Sequence, residues 1–143
     1  MTVPTGYSGT PLAQKLGLKD GHRALFISLP TELDDLCVAR NFRELRQASW
    51  ENWTEGDPGW DFVHGFTASR ATLEANARPL MEAIDHNGMI WISWPKKAAK
   101  VPTDVTEDVI RDVVLPIGLV DIKVAAVSDV WSGLKLMIRK ELR

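Results

Sequence analysis

The sequence is poor in the residues that carry disulfides, metals and long-range charge. Its one cysteine, Cys37, has no partner for an internal disulfide. The three histidines, His22, His64 and His86, show no ligand spacing, and no second cysteine or i,i+4 His–Glu pair completes a zinc site, so no metal is expected. Lys and Arg number 17 against 19 Asp and Glu, a net charge of -2. That balance gives no field to draw nucleic acid or an anionic membrane, and a nucleic-acid partner is not expected. Apolar runs are short: Gly88 to Pro95 is interrupted by Ser93 and followed by Lys96 and Lys97, well under the ~20 residues that cross a bilayer. No membrane span is expected. The N-terminus lacks the basic segment and apolar core of a secretory signal, so the expected compartment is the cytosol. A GxxxxGK[ST] phosphate loop is missing, and no serine sits in a nucleophile-elbow context.

What the chain does have is material for a core. Of its 143 residues 45% are hydrophobic and 25% charged, the composition of one ordinary globular domain. At roughly 150 residues a fold buries about 68–70% of its unfolded surface, enough without staples. Thr10-Pro-Leu-Ala-Gln-Lys-Leu-Gly-Leu predicts a short helix, with Thr10 as N-cap, Pro11 in the first turn and Gly17 as the left-handed stop. Arg23 to Leu29, closed by Pro30, predicts a strand buried on both faces. Leu33, Leu36 and Cys37 predict an amphipathic helix over Thr31 to Arg40 behind an acidic first turn. Asn41 to Gly59 holds no period, and a strand over Phe42 to Gln47 is all it supports.

Trp60 to Thr67 predicts a further strand. Ser69 then caps a helix to Ile84, which Pro79 is expected to kink or split. Asn87-Gly is a turn signal ahead of a buried strand, Met89 to Pro95. Lys96 to Pro102 reads as a basic loop. The next helix is expected to start on Asp104 and Glu107 and to bury Val105, Val109, Val113 and Ile117. Strands Leu119 to Val127 and Leu134 to Arg139 flank Ser128-Asp-Val-Trp-Ser-Gly, too short for a parallel crossover, so they pair antiparallel. The expected architecture is a single α/β domain over residues 1–143. It has three layers, a mostly parallel sheet, a C-terminal antiparallel hairpin and a short N-terminal helix.

Two of these segments resemble a known scaffold. Asp85-His-Asn-Gly-Met-Ile-Trp-Ile-Ser-Trp resembles the turn and strand after the fourth helix of a class I methyltransferase, and the terminal hairpin resembles that fold's closing pair. Five blocks in order resemble the bacterial family DUF3052: Tyr7-Ser-Gly-Thr-Pro-Leu, Trp94-Pro-Lys-Lys, Thr103-Asp-Val-Thr-Glu-Asp-Val-Ile-Arg, Gly118-Leu-Val-Asp-Ile-Lys-Val and Trp131-Ser-Gly-Leu-Lys. Pro30 to Gly59 carries no match, and Ala125 stands where the family is associated with a cysteine. That family has no established activity. The resemblance implies a Rossmann-like, methyltransferase-like fold in a bacterial cytosol and leaves the chemistry open.

Methyltransferases bind their cofactor with a glycine-rich turn after the first strand and an acidic residue after the second. Here the first turn is Ser28-Leu-Pro-Thr-Glu-Leu, without a glycine. Pro30 removes an amide, and Glu32, Asp34 and Asp35 fall in a helix. The residues predict no cofactor, S-adenosylmethionine (SAM) included. The carboxyl ends of the strands single out Trp94, Lys96, Lys97, Thr103, Asp104 and Trp131 as a candidate pocket for a small anion such as phosphate or carboxylate. The plainer alternative is a solvated cluster, in which Asp104, Glu107 and Asp108 already complement the helix start. Six tryptophans favour an exposed anchor for a protein partner, with Trp50, Trp53 and Trp60 the candidates and Trp50 and Trp53 the pair expected to dock it. His64 reads as a neutral buried imidazole and Cys37 as an inert small hydrophobe. No catalytic residue is assigned.

The function this supports is a small-molecule or protein-binding module on a methyltransferase-like scaffold that lacks the glycine-rich loop. Two rivals stand beside it. One is a divergent SAM-dependent methyltransferase or nucleoside-binding enzyme using the loops after Leu29 and Trp94; the other is an interaction protein using the Trp-rich 41–60 segment. A homodimer through that patch or the terminal edge strand stays open.

Overall fold

The computed structural model describes residues 11–143; Thr10, expected as a helix cap, and the Tyr7 block up to Thr10 lie outside them. Six strands form one sheet in the order β2-β1-β3-β4-β6-β5. They are β1 Arg23–Ile27, β2 Glu44–Ala48, β3 Trp60–Phe66, β4 Ile84–Pro95, β5 Leu119–Ala126 and β6 Trp131–Ile138. The first four run parallel, and β6 pairs antiparallel with both β4 and β5. All five residues of β1 are buried, the condition of a strand covered on both faces.

Side chains alternate between two cores, as strand geometry requires. On one face Leu25, Ile27, Val63, Ile90 and Ile92 pack beneath α2 (Arg70–Ala83) and α3 (Glu107–Val114), which supply Leu73, Leu80, Ile110 and Val114. On the other, Phe26, Phe62, Phe66 and Trp91 lie beneath α1 (Leu12–Leu16) and a 3-10 helix, Thr31–Val38. The result is the expected three-layer α/β arrangement. The Trp91 indole N–H, fully buried, donates to the Leu16 carbonyl at 2.8 Å and fastens the short α1 to the sheet. Gly17 ends α1 in the left-handed conformation at φ 82°.

Several local expectations change. Thr31–Val38 winds as a 3-10 helix and stops before Arg40. β2 starts at Glu44 and not Phe42, pairing parallel to β1 from Arg23↔Glu44 to Ile27↔Ala48. The helix from Ser69 continues through Pro79 without splitting, and Ser69 caps it by accepting from the Thr72 amide at 3.2 Å. β4 absorbs Asn87-Gly88, because the ladder with β3 shifts register between Trp60 and Phe62. A Cβ on Gly88 would stand 2.7 Å from the Trp60 carbonyl oxygen, which is why the extra residues need a glycine there. α3 buries Ile110 and Val114 in place of the Val109 and Val113 stripe.

The segment from 41 to 59 is legible only through its long-range bonds. Arg23, nearly buried, bonds Glu44 through Nε (2.8 Å) and the carbonyls of Pro58 and Asp57 through its terminal nitrogens (2.7 and 3.2 Å). Its guanidinium lies 4.3 Å from the centre of the Trp60 ring. Arg46 donates to the Trp53 and Asn52 carbonyls at 2.6 and 2.7 Å. Two arginines thus hold a stretch that has no hydrophobic period of its own.

Candidate functional site

In an open α/β sheet, ligands bind outside the carboxyl ends of the strands, where the chain order reverses. Here that point lies between β1 and β3: the connection from β1 runs through the 3-10 helix to β2, and the connection from β3 runs through α2, on the opposite face, to β4. Ile27 and Gly65 are partners across the junction.

Three features meet at this point. The first is Ser28, which leaves β1 in the left-handed region at φ 59° and donates its amide to the Ala48 carbonyl at 2.9 Å. A non-glycine residue there costs about 1–2 kcal/mol, and such outliers gather at functional sites. The turn after β1 therefore has the backbone of a glycine turn without the glycine. The second is Glu51, three positions beyond the end of β2, exposed and, among the described residues, in no ion pair. An acidic residue does follow the second strand. Glu51 also follows the strand expected over Phe42 to Gln47, so its place after β2 was open to the sequence.

The third is Trp50. Its indole lies against the bare α-carbon of Gly65, where an added Cβ would stand 2.6 and 2.8 Å from ring atoms. Its N–H donates to the Phe66 carbonyl at 2.8 Å. The turn that carries it is closed by Asn52, whose side-chain oxygen accepts from the Ser49 amide at 2.9 Å. The indole thus caps the end of β3 at the reversal point.

The sequence-derived pocket is not assembled. Trp94 packs into the core under α2 and α3, and Trp131, T-shaped on Phe66 at 5.3 Å, packs on the opposite face of the sheet. Trp131 is the first residue of β6, not part of the hairpin loop. Thr103 Oγ1 donates to the Ala68 carbonyl at 2.9 Å and accepts from the Val105 amide at 3.0 Å. Asp104 accepts from the Arg70 amide at 2.7 Å, so it caps α2; Thr106 caps α3, accepting from Val109 at 3.1 Å. The Lys96 amide donates to the Val130 carbonyl at 2.7 Å, and Lys97 opens an exposed 3-10 turn. Trp53 and Trp60, expected as exposed anchors, are both buried, Trp53 with its indole N–H on Asn76 Oδ1 at 2.8 Å. Trp50 is half-buried and engaged at the crevice.

His64 is fully buried between Phe66, stacked at 4.2 Å, and Phe26, Phe62 and Trp91. Its Nε2 lies 2.7 Å from Ser93 Oγ and its Nδ1 has no partner. Burial holds the imidazole down at about 3, far below its ordinary 6.5. The Cys37 thiol is pushed up by burial and by Asp34, so it is not an activated nucleophile. Among the described residues no group of His, Cys, Asp and Glu is placed to hold a metal ion, and no helix is long and apolar enough to cross a membrane.

No protein-family model matches the sequence, and no curated protein matches it. Solved structures do share its fold. A SAM-dependent methyltransferase from Aquifex aeolicus superposes with a TM-score of 0.66 at 14% identity, over 89% of this chain and 87% of that one. A TehB-like SAM-dependent methyltransferase from Corynebacterium glutamicum gives 0.54 at 12% identity, over 90% and 85%. DhpI in complex with SAH gives 0.56 at 13% identity, over 85% and 78%. The expectation of a chain without a cofactor is thereby overturned, since the solved structures that share its fold include SAM-dependent methyltransferases and a complex with SAH. The chain has the Rossmann-like fold of a methyltransferase.

Proposed function

We propose that the protein is a small-molecule-binding module on a methyltransferase-like scaffold, and that its ligand is an adenosyl compound, SAM or its demethylated product SAH. The observation that carries the reading is the left-handed backbone at Ser28, which opens the turn after β1 where the ligand's chain would approach. Glu51, beyond β2, offers a carboxylate for two ribose hydroxyls, and Gly65 leaves bare backbone for a flat ring. These residues fit an adenosyl group once the Trp50 indole is withdrawn from Gly65. The missing amide at Pro30 leaves ligand contact to the neighbouring backbone and to side chains. The DUF3052 resemblance, with its bacterial cytosolic setting, belongs to the same proposal.

Isothermal titration of the full chain with SAH, SAM and adenosine tests this. The reading expects saturable heat with SAH, displaced by SAM and competed by adenosine. A ligand at 100 Kd should also stabilise the fold by about 2.7 kcal/mol. No saturable heat with any of the three overturns it.

A further inference from the structure

The adenosyl crevice has an occupant of its own. Along one lateral row of the sheet, Ala48, Ile27, Gly65 and Ile92 are register partners, and the glycine is the one position in that row without a side chain. Trp50 fills the gap: its ring atoms come within 2.6 Å of where a Cβ of Gly65 would be, and its N–H takes the Phe66 carbonyl. An indole is a flat fused bicycle carrying one N–H donor, close in size and shape to a purine. Its seat is the end of β3 at the reversal of the strand order, which is also where a ligand of this fold is expected.

We infer that Trp50 is an internal plug of the ligand crevice, holding the site shut by occupying the place of the ligand's ring, and that an adenosyl compound binds by displacing it. This rests on the function proposed above and adds what controls that site. The plug can move without unfolding its turn. The Ser49–Asn52 bonds and the Arg46 bonds to Asn52 and Trp53 are made by other residues, so rotation about the Trp50 side-chain bonds gives up one hydrogen bond, to Phe66, and the indole's packing against the core. The indole is half-buried, so its outward path leads to solvent. A site open for only a fraction of the time binds more weakly in proportion to that fraction. Removing the plug should therefore tighten binding, the reverse of what removing a contact residue does.

The test uses two variants that clear the seat differently, together with a direct signal from the indole. Trp50→Ala deletes the plug; Trp50→Phe leaves a smaller ring that lacks the N–H holding the plug to Phe66. SAH titrations should show Trp50→Ala binding about tenfold tighter than the wild type and Trp50→Phe tighter by a smaller factor. In the 15N-labelled wild type, the Trp50 indole N–H signal should lose its hydrogen-bonded shift as SAH is added. Wild-type binding with either variant weaker, or with the Trp50 signal unmoved, overturns the plug and leaves adenosyl binding standing. No binding by any of the three forms overturns the function itself, and the plug with it. Circular dichroism and melting of each variant identify one that fails to fold, in which case the other variant and the wild-type indole signal decide.

Discussion

The indole of Trp50 rests on the α-carbon of Gly65, with its N–H on the carbonyl of the next residue, Phe66. Trp50 lies just past the end of β2 and Gly65 near the end of β3, on either side of β1 in the sheet. The contact therefore bridges the crevice that this sheet order creates. Whatever enters there must compete with it.

Glu51 is the side chain assigned to the ribose. Glu51→Gln keeps its shape and removes its charge, and a hydrogen bond to a charged group is worth about 1.5–3 kcal/mol. SAH affinity should fall by about tenfold or more. The melting temperature should stay unchanged, because Glu51 is exposed and unpaired among the described residues. Calorimetry and thermal melts on the same sample separate the two effects.

His64 makes the fold sensitive to acid. Its folded value of about 3 lies below the 6.5 of the free side chain, so the unfolded chain binds the extra proton between those limits. Its contribution is complete above pH 6.5 and is lost as pH falls toward 3, at up to about 1.4 kcal/mol per pH unit. Denaturant melts across that window should show the slope. The double variant His64→Phe, Ser93→Ala removes the imidazole together with its partner, and its stability should vary less with pH than the wild type's across that window by that slope.

Trp91 and Trp131 should respond very differently to trimming. Trp91→Phe empties part of a fully buried site and strands the Leu16 carbonyl, at a cost of about 3 kcal/mol. Trp131 is half-buried and meets Phe66 edge to face, so Trp131→Phe should cost about 1 kcal/mol. Urea midpoints at constant slope measure both.

Lys123 and Lys135 face each other across β5 and β6, and burial together with the charges of Lys123 and Lys19 pushes the Lys135 ammonium down. Lys123→Glu replaces a like pair by an opposite one and should stabilise by about 0.2–1 kcal/mol. The gain should shrink at high salt, since Lys123 is exposed.

The sequence made most of the fold legible where burial enforced a pattern. β1 and the buried half of β4 are apolar runs closed by Pro30 and Pro95, β3 is a β-rich run that starts after Gly59, and Ser69 announced α2 with its cap. The hairpin followed from loop length alone. The 41–59 stretch stayed opaque because its order comes from arginine bonds to backbone carbonyls, Arg23 reaching Asp57 and Pro58 from far along the chain and Arg46 reaching Asn52 and Trp53 nearby, which leaves no period to read. The site was misread for related reasons. Thr103 and Asp104 have the composition of a helix start, and they serve the start of α2, a different helix. Trp94 and Trp131 fall on opposite faces because β4 and β6 pair them one register step apart, as Pro95↔Trp131 and Trp94↔Ser132. The serine that adopts the glycine backbone carries no signature that composition can show.

The most direct test is a backbone amide titration of 15N-labelled protein with SAH. Saturable shifts confined to Ser28 and Leu29, Ser49 to Glu51 and Gly65 to Ser69 are the result expected of an adenosyl ligand in the crevice between β1 and β3. Shifts centred on Lys96 to Asp104 with the crevice silent, or no saturable shift at all, would contradict it.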